Sequence, residues 1–542
     1  MTETGSLDVS QLEELSKNSS EEIKSFFIAW NAKNAAQSVF GGVDYFARQE
    51  VAKIIESKSE DSDLAPFLLE TIRILSRQQT SLDTLLTNDV CKYITDHAGF
   101  TESQKIFVKI PSAKEASKCL INTLFHSAKM RSHFEKTGCH SKLQSRLSEF
   151  AAEKFSVLKW LEGAPEEEVE DFWYMDLRLS FISTAYSGSF QSAWSNDEKA
   201  ISVLCEPVKI VLKEDNHGSA SQKERAMESL KTLFNILCHA NESVLSENQV
   251  IELNLMLHDA FMTSDDEKVE QAVVNVFSTP PVHPHLPTLC PKRSESAADV
   301  TTETTEKELA EKYDFSYTEK LLQRLESKLD SDSENSKMTD GLLETYLTAL
   351  IRLCSYSKPA RRFCRLKILP PLKKSDVLVG PELGTTIRNK LVRVMTQATC
   401  AKELTSEFLF ILCKRSVPRL IKYTGFGHSA GLLANSGLLG QINSARQNSD
   451  SEDSETEDYN AVRQSVNPVT GTLYAADRGS ALAGMSEEQK EYEALKLVEA
   501  MHRMMDAGLV KPGTIGEDGK VREVSHVLEL AKDVVNESSD ED

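Results

Sequence analysis

The segment ASKCLINTLFHSAKMR (residues 116–131) carries its apolar residues at helical spacing and returns, altered, as AMESLKTLFNILCHANE (226–242). Both contain Lys-x-Leu with an asparagine close by, in KCLINTLF and KTLFNIL. LLETIRILSRQQ (68–79), GLLETYLTALIRLCSYS (341–357) and IRNKLVRVMTQAT (387–399) have the same period, and polar turns separate them. Alternating strand patterns are nearly absent. A short amphipathic helix pair cannot bury its apolar stripe alone, so neighbours must stack. The pattern predicts an all-α, armadillo/HEAT-like right-handed superhelical solenoid over 1–425, with about nine or ten repeats of ~40–47 residues.

Beyond the repeats the composition changes. A Gly-rich end is expected over 426–440, an acidic linker over 441–484, an amphipathic helix over 485–507 and a largely unstructured tail over 508–542. Residues 449–458, SDSEDSETED, hold six acids in ten and no apolar residue. Two further acidic stretches, 294–312 and 329–337, read as solvated loops. The 294–312 stretch follows the Pro-rich TPPVHPHLPTLCPK (279–292). In the terminal helix Ser486 and Gln489 make a capping box, and Tyr492, Leu495, Val498, Met501 and Met505 form an apolar stripe.

The 542 residues include 62 Lys+Arg and 83 Asp+Glu, a formal charge of −21. Such a balance argues against a general nucleic-acid binder, which displaces counterions with a positive face. The polar, acidic N-terminus has no secretory pattern, and no apolar run is long enough to span a bilayer. The expectation is a cytoplasmic monomer without membrane insertion, whose ten cysteines are reduced and packed among apolar neighbours.

Chemistry-bearing motifs are missing. YTGFGHSAGLLANSG (423–437) is Gly-rich but lacks Gly-Lys-Ser/Thr, and its glycines are expected to end one helix and start the next. HExxH, GxSxG and kinase signatures do not occur. Neither a cofactor nor bond-making catalysis is expected; a repeat solenoid of this kind is a binding surface.

Two features suggest what binds. Arg73 and Arg77 are i, i+4 neighbours in an apolar helix, with Glu70 a turn earlier. The plain reading is a local ion pair worth a few tenths of a kcal/mol. The sharper one is a cationic patch for a carboxylate such as a peptide C-terminus. Lys358, Arg361, Arg362 and Arg365 fall at i, i+3, i+4 and i+7, hence on one helix face. The plain reading there is a solvated basic face, but four like charges repel and favour an anion. Ser449 and Ser454 each have a glutamate three residues on, the pattern that an acidophilic kinase of the casein-kinase-2 type accepts. Each phosphate adds about −1.5 to −2 charges.

RILSR (73–77), RNKLVRVMT (388–396), EFLFILC (407–413), SVPRLIKYTGFGHSAGLLA (416–434) and NPVTG (467–471), in this order, resemble the synembryn family. These are cytosolic chaperones and non-receptor guanine-nucleotide exchange factors for heterotrimeric G-protein α subunits (Gα). The resemblance implies a solenoid whose concave face holds the C-terminal helix of Gα, with contacts at Arg73, Arg77, Asn122 and Phe234. It implies phosphorylation at Ser449 and Ser454, where the mammalian pattern has threonine at the second position. Lys358, Arg361, Arg362 and Arg365 would receive those phosphates. The 486–506 helix would touch the Gα switch region through the face carrying Tyr492, Leu495, Val498, Met501 and Met505. Recruitment to the cell cortex would then come through Gα. The alternative is an armadillo-type adaptor that binds an extended peptide without exchange activity.

Overall fold

Serine, threonine and aspartate stand at the N-terminal ends of the apolar runs, where their side-chain oxygens accept from backbone N–H groups that have no intrahelical partner. Asp44, Thr87, Ser219, Ser246 and Thr386 cap helices in this way, and Ser219, Ser246 and Thr386 complete capping boxes with Gln222, Gln249 and Asn389. Pro66, Pro111, Pro359 and Pro418 occupy first turns, where a missing N–H costs nothing.

The computed structural model describes residues 7–37, 43–100, 108–153, 158–163, 168–213, 218–293, 305–330, 336–397, 399–442, 456–474, 485–486, 488–493, 496, 498, 503, 513–515 and 521–523. For 198, 336–342, 513–515 and 521–523 only the backbone is described. The chain divides into two compact units, Met1–Pro284 and His285–Asp542, and the division falls within the Pro-rich stretch.

The first unit contains α1 (Val9–Leu15), α2 (Ser20–Asn34), α3 (Tyr45–Ser57), α4 (Ala65–Leu75), α5 (Leu82–Leu85), α6 (Asn88–His97), α7 (Ile110–His126), α8 (Ala128–Lys136), α9 (Cys139–Ala151), α10 (Val169–Tyr186), α11 (Gly188–Ser195), α12 (Glu198–Lys213), α13 (Ala220–Leu237), α14 (Glu247–Thr263) and α15 (Glu267–Phe277). Its spine is a stack in which α2 packs on α4, α4 on α7, α7 on α10, α10 on α13 and α13 on α15. Leu68, Leu69, Ile72, Leu120, Leu124, Leu177, Leu230 and Leu233 line the contacts and are at most 1% exposed. Each such side chain contributes about 1.5–3 kcal/mol on burial. Apolar stacking therefore holds the ladder.

The second unit contains α16 (Glu306–Lys312), α17 (Ser316–Asp330), α18 (Ser336–Tyr356), α19 (Lys358–Ile368), α20 (Ile387–Val394), α21 (Ala401–Leu412), α22 (Val417–Thr424), α23 (Phe426–Asn435) and α24 (Glu457–Asn460). Helix α18 packs against α17, α19 and α21. A two-residue-strand hairpin pairs β1 (Val466–Asn467) with β2 (Thr472–Leu473), and a second pairs β3 (Gly513–Ile515) with β4 (Val521–Glu523). The architecture is an all-α, armadillo-like helical-repeat solenoid.

The structure adds regular elements to the expected loops, linker and tail: α18 begins within 329–337, and α24 and the β1–β2 hairpin lie within 441–484. The acidic stretch 294–312 ends in α16 rather than in a loop: Thr305 and Glu308 form a capping box, Leu309 is fully buried, and Glu306 pairs with Lys367 at 2.6 Å. The Arg293 N–H and Nε also donate to Lys312 O and Ala310 O, so a buried leucine, an ion pair and backbone bonds together dock it. The tail contains the β3–β4 hairpin, which the Asp518-Gly519 turn signal in the sequence would have supported.

A corner recurs in both units. Ser127, Ser187 and Ser357 each end one helix and cap the next, in extended conformation, accepting from the N–H three residues on. The residue four positions after each serine turns back onto the carbonyl three positions before it. Arg131 donates to Leu124 O at 2.8 Å, Gln191 to Thr184 O at 2.8 Å and Arg361 to Cys354 O at 2.7 Å. The three strings, HSAKMR (126–131), YSGSFQ (186–191) and YSKPAR (356–361), share aromatic-Ser-x-x-apolar-Arg/Gln. This is the internal repeat in its sharpest form.

Candidate functional sites

Within the first unit the predicted tail-binding residues lie near the C-terminal ends of the spine helices. Arg73, in the last turn of α4, donates through Nε to Glu115 Oε2 at 2.5 Å and pairs with Glu70 Oε1 at 3.0 Å. The local pair is present, and a second carboxylate joins it from α7. Arg77 donates to the backbone carbonyls of Ala35 at 2.6 Å and Gln37 at 3.0 Å, just past α2. Burial pulls the Arg77 pKa down, and the neighbouring Arg73 charge adds to that. Asn122 Nδ2 donates to Arg73 O at 3.4 Å and Ser76 Oγ at 3.2 Å, so Arg73 and Asn122 belong to one polar knot.

The knot has an internal copy. On α13, Asn235 Nδ2 donates to Phe181 O at 3.1 Å and Thr184 Oγ1 at 3.2 Å. Glu115–Lys118 at 2.9 Å on α7 corresponds to Glu228–Lys231 at 2.8 Å on α13, and Glu228 receives Arg178 at 2.9 Å as Glu115 receives Arg73. The Lys-x-Leu…Asn echo thus marks the same edge of two stacked helices. Phe234, half-buried on α13, is separated from Asn122 by the whole of α10. At about 8–10 Å per packed helix pair, α4 and α13 are roughly 24–30 Å apart.

In the second unit the basic stripe is divided by burial. Lys358 is exposed, Arg361 and Arg362 are half-buried, and Arg365 is only 3% exposed. The sequence did not point to the cations that α21 and α22 bring to the same place. Arg361, Lys414 and Arg415 line a cleft of about 280 Å³ with Ser355 and Ile411. Burial, then the Arg419 charge, pulls Arg365 down to about 10, and the same two causes lower Arg362. Lys414 is drawn down to about 8, by burial first and then by Arg419, Arg365, Arg362 and Arg361. Five cations from three chain segments therefore share one field. Lys414 and Arg415 both have left-handed backbones, φ 55° and 56°, after the end of α21. The signal available in sequence was the KRSVPR string (414–419) directly after the helix EFLFILC.

Ser449 and Ser454 lie outside the described residues, as do Leu495, Met501 and Met505. Tyr492 and Val498 are in helical conformation, and Tyr492 is 66% exposed. The chain just after Ser454 is fastened to the second unit. Thr456 Oγ1 donates to Leu372 O, and the Lys374 N–H donates to Asp458 Oδ2 at 3.0 Å. That bond holds the Asp458 carboxyl below the ordinary range. Tyr459 is buried, with Lys422 Nζ 5.1 Å from its ring centroid.

The strings KYTGFG and NPVTG meet. The Phe426 N–H donates to Pro468 O at 2.8 Å and the Gly427 N–H to Val469 O at 2.9 Å, so the β1–β2 turn docks on the N-terminus of α23. Gly425 caps both α22 and α23 at φ 73°, ψ 150°, a region open essentially to glycine. A Cβ there would stand 3.0 Å from Val469 O and from the Thr470 carbonyl carbon.

A family model described as guanine nucleotide exchange factor synembryn matches residues 68–520. The chain belongs to the synembryn family. Among this synembryn-family chain's relatives, "Chaperone ric-8" of Caenorhabditis elegans is 43% identical over 96% of each chain, and "Chaperone Ric-8A" of Danio rerio is 31% identical over 88% of this chain and 87% of its own. A solved engineered protein aligns with 82% of this family member and 96% of its own chain, at 12% identity and TM-score 0.41. Among the described residues no helix is long and apolar enough to cross a membrane, and no group of three or more His, Cys, Asp or Glu could hold a metal ion. The ten cysteines are all free thiols, and eight are buried.

Proposed function

We propose that the chain is a non-covalent guanine-nucleotide exchange factor and folding chaperone for Gα subunits. Synembryn membership across most of the chain supports this reading, and the Arg73–Glu115–Asn122 knot is the surface to which we assign the Gα tail. The C-terminal helix of Gα lies across the ends of α4, α7, α10 and α13. The roughly 24–30 Å between α4 and α13 matches about 16–20 residues of helix at 1.5 Å per residue.

The mechanism is linkage rather than bond chemistry. GDP-bound Gα keeps its C-terminal helix against its own nucleotide domain. A protein that binds this helix only when it is displaced favours the empty state. Bound GTP weakens the grip in return and ejects the complex. The same grip protects a nascent Gα without nucleotide, because whatever binds the folded form stabilises it by mass action. An acidophilic kinase of the casein-kinase-2 type phosphorylates Ser449 and Ser454. Those phosphates settle among Lys358, Arg361, Arg362, Arg365 and the Lys414–Arg415 pair, directing the 486–506 helix toward the Gα switch region.

The test is nucleotide release from Gα–GDP, intact and without its C-terminal helix. Acceleration with the intact form alone is expected. Equal acceleration of both would overturn the reading, and binding without release would turn it to the adaptor.

A further inference from the structure

We infer that Phe125, Tyr186 and Arg131 form a shelf that seats a large apolar side chain of the bound helix midway along its path from α4 to α13 and so selects among partner tails; this rests on the reading above. Phe125, near the end of α7, is 52% exposed, and Tyr186, the last residue of α10, is 47% exposed. Their rings lie 6.0 Å apart, edge to face at 78°. The Arg131 guanidinium carbon sits 4.4 Å from the Tyr186 centroid, and its NH1 donates to Leu124 O at 2.8 Å and Phe125 O at 3.1 Å. His126 meets Phe125 edge to face at 4.8 Å.

Two half-exposed aromatic rings held this way leave apolar area unburied in the partner-free chain. They lose little conformational freedom when something covers them, since aromatic side chains have few rotatable bonds and these are already packed. The guanidinium is oriented from below by the corner bond, so a carboxylate beside the seated side chain meets a donor already in place. Exposed aromatic–arginine clusters of this composition are characteristic binding hot spots.

The occupant follows from continuity with the polar knot. Asn122 is one turn before Phe125 on α7. On the other side, Gln79 Nε2 donates to His126 O at 3.4 Å, and Gln79 is two residues after Arg77. A helix laid along the spine over Arg77 and Asn122 therefore continues onto Phe125 and Tyr186. A helix that is apolar on the side facing the ladder and anionic at its end matches this surface.

The experiment is calorimetric titration of the full-length chain with a synthetic peptide of the Gα C-terminal helix. Phe125→Ala and Tyr186→Ala are each expected to weaken binding about tenfold. Arg131→Gln should cost several-fold while keeping the corner, because Gln191 makes the equivalent bond. If Phe125→Ala proves unstable on thermal melting, Tyr186→Ala and Arg131→Gln carry the test. With the large apolar residues of the peptide changed to alanine one at a time, one of them should lose as much as Phe125→Ala does, and those two losses should not add. Unchanged affinities or fully additive losses overturn the shelf. A wild-type chain that fails to bind the peptide overturns the functional reading instead.

Discussion

Arg361 donates to the Cys354 carbonyl and also faces Lys414 and Arg415 across the cleft, so removing it alters a helix corner and a charge cluster together. The corner itself supplies the control. Gln191 performs the same bond in the first unit, so Arg361→Gln should keep the α18–α19 corner and lose only the cation. Arg361→Ala is expected to lower stability by about 1 kcal/mol, the usual net worth of a hydrogen bond, while Arg361→Gln leaves the unfolding midpoint near wild type. If phosphates at Ser449 and Ser454 dock here and raise exchange activity, both should abolish that gain; a phosphorylated Arg361→Gln protein that keeps the full gain would remove Arg361 from the proposed phosphate site. Arg73 poses a related problem, because two carboxylates already engage it. Glu115→Gln weakens that hold. If Arg73 receives an anionic group of the Gα tail, this substitution should tighten binding a few-fold in calorimetry. If Arg73 serves only to hold Glu115 in place, binding should fall instead.

Glycine decides the element that ties the segment after the acidic run to the end of the repeats. The φ 73°, ψ 150° backbone of Gly425 lets the Phe426 and Gly427 amides reach Pro468 and Val469, and a side chain at 425 would meet that turn at 3.0 Å. Gly425→Ala should therefore cost about 1–3 kcal/mol. Hydrogen exchange of the Phe426 and Gly427 amides should accelerate while the α18 core keeps its protection; unchanged exchange would show that the turn tolerates the methyl group. The string KYTGFG was conspicuous in sequence, and its glycines did read as a helix end and start, but its docking partner lies some forty residues away and nothing local announces the contact. The same holds for Arg73. Its pair with Glu70 follows from i, i+3 spacing, whereas Glu115 arrives only once α7 stacks on α4. Helical period, capping and the Lys-x-Leu…Asn echo are local patterns, so the repeat class could be read directly. The shared field of Arg365, Lys414 and Arg419 is long-range and could not. The three copies of the aromatic-Ser-x-x-apolar-Arg/Gln corner are far apart in the chain and short, so the pattern stands out only once the structure shows the bond that they share.

At the scale of the whole molecule, two linkages set how the chain responds to its surroundings. The first is to protons. His97, His133 and His140 are held below 6.5 by burial, so the folded first unit keeps them neutral where an unfolded chain would bind protons. Their contribution is fully present above about pH 6.5 and is lost as pH falls through their folded values. Asp96, raised by burial, and Asp176, raised to about 6 by burial despite Arg146, work the other way, since their folded forms take up a proton first on acidification and gain stability by it. Asp176→Asn, which removes its part of that gain, should make the melting temperature fall more steeply between pH 7 and 5 than in the wild type, and an unchanged slope would contradict the assignment. The second linkage is to nucleotide. If the chain grips only the displaced helix of Gα, the factor by which it weakens GDP must equal the factor by which GDP weakens its own binding. A coupling of about 3–4 kcal/mol corresponds to roughly 10²–10³-fold. Affinity of the chain for Gα, titrated against rising GDP, should fall by that factor and then level off, and GDP affinity measured at saturating chain should fall equally. Simple competition, in which the chain's affinity keeps falling without a plateau, would mean that the two ligands exclude each other at one site. A plateau means that they act through two states of Gα, and its height measures how far the bound solenoid shifts the balance between them.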